Sequence, residues 1–292
     1  MSSLPVHGNS GLFLAAGFAE KKSILLKQVA ASARLASLQP ASRLEMRPRP
    51  EMISSGVPAI DTISGGIPRG CLSEIYGPPS SGKTSLLLAT IAAAARSEET
   101  CALVDCCDSF DPACGWAAGV HFKRLLWVRC GIVPKTKIRC SPQSPTFPRP
   151  VPASDKKRES EFRLEQVIKA TDLILQSGGF GLVALDLAGI GGTFVRRIPL
   201  ASWFRFQRAV EHTKTALLVL SDTPCAESCA TLILKLAARN QKSLPLVPPG
   251  APTHAQLLEG MRVEAEIVRT RLERKPAQSL RADFLTEAAR AG

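Results

Sequence analysis

Short apolar runs of strand length alternate with longer stretches of helical spacing through the middle of the chain. The apolar runs lie at residues 72–76, 100–105, 125–128, 182–185 and 216–220. The stretches of helical spacing lie at residues 85–96, 162–175 and 201–213. Strands that are apolar throughout are typical of parallel sheets covered by helices on both faces. The pattern therefore predicts an α/β fold with a mostly parallel central sheet flanked by helices.

The last part of the chain follows a different pattern. Residues 231–236 alternate apolar and polar positions, and Val263, Ala265 and Ile267 alternate with charged or polar neighbours. Such alternation is typical of strands with one face in solvent. These segments predict C-terminal strands, of which the one around Ile267 is antiparallel and half exposed.

Changes of composition divide the chain into segments. Residues 20–38 have helical spacing and precede a stretch rich in proline and arginine, so residues 1–50 are interpreted as an N-terminal helix and linker. Residues 131–160 combine prolines with Lys and Arg and lack apolar periodicity, which indicates a flexible basic insertion. The sequence thus predicts one core over residues 51–285 that contains this insertion, with a tail at residues 286–292.

The chain is strongly basic. Lys and Arg total 37 and Asp and Glu total 25, which gives a formal net charge of +12. Such an excess favours a polyanionic partner such as nucleic acid, although positive charge also serves solubility alone. The nine cysteines include no Cys-x-x-Cys pair. No apolar stretch reaches the roughly 20 residues that span a bilayer. We therefore expect a cytoplasmic protein with free thiols and no membrane association.

The most specific motif is Gly-Pro-Pro-Ser-Ser-Gly-Lys-Thr, which lies between an apolar run and a Leu-rich helical stretch. It fits the P-loop pattern, in which glycines let successive backbone N–H groups face a phosphate at the start of a helix. We expect Lys83 to reach the β- and γ-phosphates and Thr84 to bind Mg2+ through its hydroxyl. The alternative is a Gly/Ser turn with an unrelated lysine. The candidate nucleotide contacts are Gly77, Pro78, Pro79, Ser80, Ser81, Gly82, Lys83, Thr84 and Ser85.

A second acidic position is needed to hold the metal ion. Asp186 directly follows an apolar run of strand length, which is the arrangement of a Walker-B aspartate. In a parallel sheet the carboxyl end of a strand points to the ligand crevice. The alternative is an ordinary aspartate at the end of a strand. Beside a P-loop, the interpretation as an Mg2+ ligand is favoured.

Three segments lead into the P-loop in an order that resembles bacterial RecA: residues 53–61, 65–70 and 74–77. The likeness continues at Val104-Asp105 and at residues 109–112, and it returns at residues 181–190 and 266–284. The chain therefore resembles the RecA recombinase superfamily. This resemblance implies a RecA-like ATPase core that binds ATP and Mg2+ through Lys83, Thr84 and Asp186.

The resemblance also implies roles for residues outside the P-loop. Asp111 matches a position that contacts adenine, whereas Cys114 replaces a tyrosine that packs on the base. Cys107 stands where RecA has the glutamate that activates the attacking water. Asp108, the next residue, is therefore a candidate substitute and, with Lys83, a candidate catalytic residue; a solvated turn residue is the equal alternative.

Two further matches concern the γ-phosphate and the neighbouring subunit. Asp222 and Thr223 stand where RecA has an Asn-Gln pair that senses the γ-phosphate. Arg269 and Arg271 match two lysines that reach ATP bound to the next subunit, and arginine keeps that charge. A solvated basic face of a strand is the alternative for these two arginines.

RecA proteins bind single-stranded DNA through two loops, which follow the strands that end here at Asp186 and Asp222. In the first loop, Phe194, Arg196 and Arg197 offer a ring for stacking and charge for phosphates, and Arg205 extends this character. The second loop is short, because only residues 223–228 separate the two apolar segments, so strand exchange is in doubt.

Residues 196–208 and 225–230 resemble a shorter branch of the superfamily, the ImuA-type accessory factors of damage-induced mutagenesis. Three functions follow from these resemblances. The first is an ATP-dependent, single-strand-binding protein of DNA repair, recombination and the SOS response, which self-associates as a filament or oligomer. The second is an adaptor with little or no ATP hydrolysis that recruits a translesion polymerase or RecA. The third, an unrelated P-loop enzyme such as a small-molecule kinase, is disfavoured by residues 53–61.

Overall fold

The computed structural model describes residues 20–24, 27, 49–130, 153–239, 260–272 and 280–287. The chain divides into two compact units, Met1–Arg49 and Pro50–Gly292. In the first unit, residues 20–24 and 27 are helical, and their side chains are exposed. The rest of the helix predicted over residues 20–38 lies outside the described residues.

The second unit is built on a large mixed sheet and the helices that cover it. The strands are β1 (Met52–Ile53), β2 (Ile67–Pro68), β3 (Leu72–Tyr76), β4 (Cys101–Asp105), β5 (Leu125–Arg129), β6 (Leu182–Asp186), β7 (Ala216–Ser221), β8 (Leu232–Ala238), β9 (Gly260–Thr270) and β10 (Arg281–Glu287). The α-helices are α1 (Pro58–Ser64), α2 (Lys83–Arg96), α3 (Pro112–Ala117), α4 (Ala153–Ser177), α5 (Gly192–Val195) and α6 (Leu200–Val210). Two single turns of 3-10 helix lie at Phe122–Arg124 and Glu227–Cys229.

Eight strands form the central sheet in the order β10-β9-β8-β3-β7-β6-β4-β5. The six strands from β8 to β5 are parallel to one another, and β9 and β10 are antiparallel to their neighbours. The sheet confirms the predicted α/β fold with a mostly parallel sheet and C-terminal antiparallel strands. It also places the carboxyl ends of β3, β7, β6 and β4 along one edge, which is where ligands bind in such sheets.

The apolar strands are buried on both faces. Ile75, Leu103 and Leu218 face one core, which α1 and α2 cover through residues such as Ile60 and Leu86. The opposite core contains Leu72, Val104, Leu185 and Val219, and the helices α4 and α6 cover it. Trp203 and Phe206 of α6 pack edge to face in this second core, with ring centroids 5.9 Å apart. Continuous apolar strands are what this two-sided burial requires.

Two boundaries differ from those predicted from the sequence. The helix α4 begins at Ala153, so the segment without regular pattern ends before residue 153 rather than at 160. The first turns of this helix are almost entirely polar, and no apolar stripe marks them in the sequence. Residues 131–152 lie outside the described residues. Strand β10 extends to Glu287, two residues past the predicted end of the core. No helix in the described ranges is long and apolar enough to cross a membrane.

Candidate nucleotide site

The loop between β3 and α2 forms a tight cradle. A Cβ atom at Gly77 would lie 2.2 Å from the backbone oxygen of Leu236, so no side chain fits there. Gly82 has φ +85°, and a Cβ atom at this position would lie 2.6 Å from Val263 Cγ2. Both the close approach of β8 and β9 and the left-handed backbone therefore require glycine at these positions.

The start of α2 is open to an anion. No side chain caps this helix, and its first backbone hydrogen bond runs from Leu86 N to Gly82 O. The preceding N–H groups of the first turn therefore have no partner within the helix. The hydroxyl of Ser81 is buried and has no hydrogen-bond partner in the described part of the chain. These groups fit the phosphates of a nucleotide, since helix N-termini favour negative charge.

The exposed positions of the cradle lie where a ligand has access. Pro78, Pro79 and Ser80 are exposed on the loop, and Thr84 and Ser85 are exposed in the first turn of α2. The Thr84 hydroxyl is thus accessible beside the free N–H groups, as a ligand of a phosphate-bound Mg2+ must be.

Lys83 does not extend into solvent. Its side chain is buried, and its Nζ donates to Gly77 O and to Pro78 O, the latter at 2.9 Å. Nζ also lies 3.0 Å from Asp222 Oδ1. The ammonium group therefore has three acceptors within the chain, one of which carries a full negative charge.

Asp186 lies at the carboxyl end of β6 and is 5% exposed. Its carboxylate accepts a hydrogen bond from Ala188 N at 2.9 Å. The pKa of Asp186 is raised to about 6, mainly by burial and also by the charge of Asp105 on the adjacent strand, while the hydrogen bond from Ala188 N and the charge of Lys83 act in the opposite direction. An acceptor-rich carboxylate in this setting suits a hard divalent cation. Thr84 and Asp186 are the residues that would hold Mg2+, which would neutralise the phosphate charge.

Asp105 has a structural role instead. It pairs in register with Asp186, but its two oxygens accept hydrogen bonds from Ser109 N at 3.0 Å and Phe110 N at 2.9 Å. The indole of Trp127 adds a third bond at 3.3 Å. Asp105 therefore shapes the turn after β4, and Asp186 keeps the freer carboxylate.

Residues 38–131 match the family model of the RecA N-terminal domain. The matched segment includes the strands β1 to β5 and the whole P-loop, and the sheet around it has the mostly parallel order expected of that fold. This part of the chain is therefore similar to the N-terminal domain of the RecA family. This family in general binds nucleotides and acts in DNA recombination and repair.

Glu74 is a buried charged residue below this site that the sequence pattern did not single out. It lies in the middle of β3 and is fully buried. Its carboxylate accepts hydrogen bonds from Cys225 N at 2.6 Å, Ala226 N at 3.3 Å and Ser221 Oγ at 3.4 Å. Burial raises its pKa, and these bonds partly oppose that shift. A charged residue inside an otherwise apolar strand was the available signal, since such a residue requires partners.

The turn after β4 contains Cys107 and Asp108. Cys107 is half-buried, and the hydrogen bond from the Cys106 thiol and the charge of Arg163 lower its pKa. Asp108 has φ +56° and forms two 2.6 Å contacts with the guanidinium of Arg129. Arg129 lowers the pKa of Asp108. The candidate base is thus held in an ion pair at the end of the edge strand β5, and its role in catalysis stays a prediction.

Asp111 is the N-cap of α3 and accepts a hydrogen bond from Ala113 N at 3.0 Å. Asp111 and Cys114 are both exposed, and the Cys114 thiol lowers the pKa of Asp111. The local geometry leaves both side chains accessible to a base, and the adenine contact at Asp111 stays a prediction.

Arg269 and Arg271 lie at the end of β9, beside the start of β8. Arg269 pairs with Ile233 near the start of β8, and Arg271 N donates to Thr231 O. The P-loop follows the opposite, carboxyl end of the parallel strands. Arg269 is level with Glu74, which lies three residues before Gly77, and its strand β9 is two strands away from β3. These two spacings separate Arg269 from Gly77 by about 14 Å. The guanidinium of Arg269 instead donates to Glu227 O at 3.0 Å. Neither arginine belongs to the nucleotide site of its own chain.

The four candidate DNA-binding residues are only partly available. The segment after β6 packs onto the core through Ile190, Val195 and Ile198, and it includes the short helix α5. Three of the candidates are already engaged: Arg197 stacks on Phe194 and pairs with Glu161, and Arg205 pairs with Asp172. Arg196 is exposed and forms no ion pair with any described residue. The structure thus brings Phe194, Arg196 and Arg197 together and places Arg205 apart on α6.

Proposed function

We propose that this chain binds Mg-ATP at the P-loop and acts as a RecA-type protein of DNA repair, recombination and the SOS damage response. The observation that carries the proposal is the phosphate cradle. It combines an uncapped helix N-terminus, two glycines that tolerate no side chain, and the buried side chains of Lys83 and Asp186. The charge of Lys83 acts to lower the pKa of Asp186. These are the groups that a triphosphate and its magnesium ion require.

We further propose that single-stranded DNA binds in an ATP-dependent manner to the segment that follows β6. This segment begins two residues after Asp186 and carries the exposed Arg196 and the stacked pair Phe194–Arg197. Arginine and aromatic side chains side by side suit a backbone phosphate and an unpaired base. The net charge of +12 favours the same partner.

Self-association is part of the proposal. Arg269 and Arg271 lie at the edge of the sheet opposite their own P-loop, so they serve a nucleotide only if it is bound to a neighbouring chain. A head-to-tail arrangement of chains would bring one edge against the other, and such contacts generate filaments or rings.

An ImuA-like adaptor, which recruits a translesion polymerase or RecA, is the second candidate. Three observations favour it. Cys107 occupies the turn after β4 where the family resemblance leads one to expect a glutamate, and Asp222 holds Lys83. In addition, Glu74 fixes the short segment after β7 at Cys225 and Ala226. We expect all three to lower catalytic turnover, and none of them removes the nucleotide cradle.

The proposal is tested by calorimetry of Mg-ATP binding and by ATP turnover with and without single-stranded DNA. We expect Lys83→Ala to weaken Mg-ATP binding about 10- to 100-fold, since a hydrogen bond to a charged group contributes about 1.5–3 kcal/mol. Lys169→Ala is the matched control, because Lys169 is exposed on α4 and forms an ion pair with Glu165 of the same helix. Stimulation of turnover by DNA supports the repair ATPase, and retained binding without turnover supports the adaptor. Absence of Mg-ATP binding by the wild-type chain would exclude the repair ATPase and leave the adaptor.

A further inference from the structure

The ammonium group of Lys83 is saturated by acceptors of its own chain. Gly77 O, Pro78 O and Asp222 Oδ1 surround Nζ, and the Lys83 side chain is 6% exposed. An ammonium group has three donors, so none remains for a phosphate unless one of these contacts breaks. The two backbone acceptors are neutral parts of the loop itself, whereas Asp222 is a negatively charged side chain from another strand.

Asp222 is held at this position from two sides. Its other oxygen, Oδ2, accepts a hydrogen bond from Gly189 N at 3.2 Å. The hydroxyl of the preceding residue, Ser221, donates to Thr223 O at 2.8 Å, and its oxygen also lies 3.4 Å from the buried Glu74 Oε1. The backbone on either side of Asp222 is therefore fixed by hydrogen bonds.

These contacts make one carboxylate bridge two functional elements. On one side is the lysine of the phosphate cradle, which follows β3. On the other is Gly189, which has φ +83° and lies at the start of the segment that follows β6. The same segment contains Phe194, Arg196 and Arg197, the proposed single-strand contacts.

We propose that Asp222 is an internal competitor for the nucleotide at Lys83, and that nucleotide binding releases its contact with Gly189. The proposal rests on the proposed Mg-ATP site. A γ-phosphate that reaches Lys83 enters next to the Asp222 carboxylate, and two groups of like charge at this distance repel each other. Lys83 exchanges Asp222 for the phosphate. Asp222 then turns away and no longer accepts from Gly189 N.

Release of Asp222 gives ATP a physical route to the segment after β6. Without nucleotide, the Gly189 N–H group is tied to β7 through Asp222. With nucleotide, this hydrogen bond is lost. The segment that carries Phe194 and Arg196 is then no longer held at Gly189. The exchange lowers the affinity for nucleotide, because part of the binding energy is used to break the Lys83–Asp222 ion pair.

The test compares wild type with Asp222→Asn, which keeps the size of the side chain and removes its charge. Asp172→Asn is the matched control, because Asp172 forms an ion pair with Arg205 away from the cradle. Calorimetry on each purified full-length chain uses Mg-ATP and Mg-ADP as probes. We expect Asp222→Asn to bind Mg-ATP about tenfold tighter, a change of about 1.4 kcal/mol, and Asp172→Asn to bind as the wild type does.

Hydrogen exchange at the Gly189 amide is the second measurement, and it does not depend on turnover. In wild type, saturating Mg-ATP should raise the exchange rate of this amide, and Mg-ADP should raise it less. Asp222→Ala, which removes the acceptor, should show the faster rate before any nucleotide is added.

The outcomes separate the two proposals. Equal or weaker Mg-ATP binding by Asp222→Asn than by wild type overturns the competitor role, and the Mg-ATP site survives. Unchanged Gly189 exchange on saturation with Mg-ATP overturns the release. If no variant binds either nucleotide, the Mg-ATP site itself is wrong and the competitor role falls with it. Binding by Asp222→Asn alone would support the competitor role and contradict Mg-ATP binding by the wild-type chain.

Discussion

At the scale of single residues, Cys107 and Cys114 show that exposure and reactivity differ. Cys114 is exposed, but Asp111 raises the pKa of its thiol. Cys107 is only half-buried, and the Cys106 thiol and Arg163 lower its pKa. The remaining described cysteines are buried or have a raised pKa. Because the thiolate is the nucleophile, the less exposed Cys107 should be the more reactive of the two.

We expect iodoacetamide to modify Cys107 before any other described cysteine of the native chain near pH 7.5. Peptide mass mapping after short exposure measures the order. Arg163→Gln should slow the modification of Cys107 several-fold, since it removes a positive charge that stabilises the thiolate. It should leave the rate at Cys114 unchanged. Faster modification of Cys114 than of Cys107 would contradict this assignment.

Glu74 makes a prediction about pH. Burial raises its pKa above the ordinary 4.5, so the native state binds the proton more tightly than the unfolded state. The resulting contribution to stability is fully present below pH 4.5 and is lost as the pH rises through the native pKa. Glutamine at this position does not titrate. The free energy of unfolding of wild type relative to that of Glu74→Gln should therefore be highest at acidic pH.

Urea unfolding of both proteins between about pH 4.5 and 8 measures this difference, and the titration of all other groups cancels in the comparison. The difference should narrow as the pH rises. A difference that stays constant or widens would show that the hydrogen bonds from Cys225, Ala226 and Ser221 outweigh the burial of the carboxylate.

At the scale of elements, the turn between β1 and α1 locks onto α2. Asp61 accepts hydrogen bonds from Ser55 N at 2.9 Å and Ser54 Oγ at 2.7 Å. Thr90 of α2 donates to Ser55 O at 3.0 Å. Gly56, inside this turn, has φ +76°, and a Cβ atom there would lie 2.3 Å from Ala89 O. The helix that begins at the P-loop is thus positioned by backbone contact at Gly56.

We expect Gly56→Ala to lower the free energy of unfolding by about 3 kcal/mol or more, through backbone strain and the clash with α2. Gly119→Ala is the matched control, because Gly119 has φ +82° but open space around its Cβ position. The control should cost only about 1 kcal/mol. Thermal or urea unfolding measures both variants. Equal losses would mean that the close approach to Ala89 has no energetic role.

The central elements could be predicted from the sequence because burial on both faces leaves a simple apolar signature. The strands β4, β6 and β7 are of this kind. The first turns of α4 carry charged side chains, so apolar periodicity did not reveal them. The strands β1 and β2 have two residues each, which is too short for any period to show.

Within the candidate site, residues defined by local sequence pattern could likewise be predicted, and contacts between distant segments could not. The P-loop and Asp186 follow from local pattern, since each is defined by its own neighbours in the chain. The contact between Lys83 and Asp222 joins residues far apart in sequence, and it depends on the register of β3 against β7. The buried Glu74 likewise has hydrogen-bond donors, Cys225 N and Ala226 N, that lie far from it in the sequence. Sequence pattern alone does not contain these registers.

At the scale of the whole molecule, the sheet separates two charged features. The P-loop, Asp186 and Asp222 lie at the carboxyl edge of the parallel strands, and Arg269 and Arg271 lie at the amino edge. One chain therefore presents a phosphate cradle on one side and arginines on the other. If chains associate head to tail, each nucleotide site consists of the cradle of one chain and the arginines of the next.

This arrangement predicts complementation between two defective variants. Lys83→Ala lacks a competent cradle but keeps its arginines, whereas the double variant Arg269→Ala/Arg271→Ala keeps its cradle and lacks the arginines. Each variant alone should bind Mg-ATP weakly at concentrations where wild type associates. The double variant loses the bidentate contacts of arginine with phosphate, and Lys83→Ala loses the lysine.

In a mixture of the two variants, the cradle of the double variant can contact the arginines of Lys83→Ala. A fraction of the sites should therefore regain wild-type affinity in calorimetry. Lys169→Ala, which removes an exposed cation of α4 that pairs with Glu165, is the control and should bind Mg-ATP as wild type does. If the mixture binds no more than the sum of its two components, the arginines do not act across an interface.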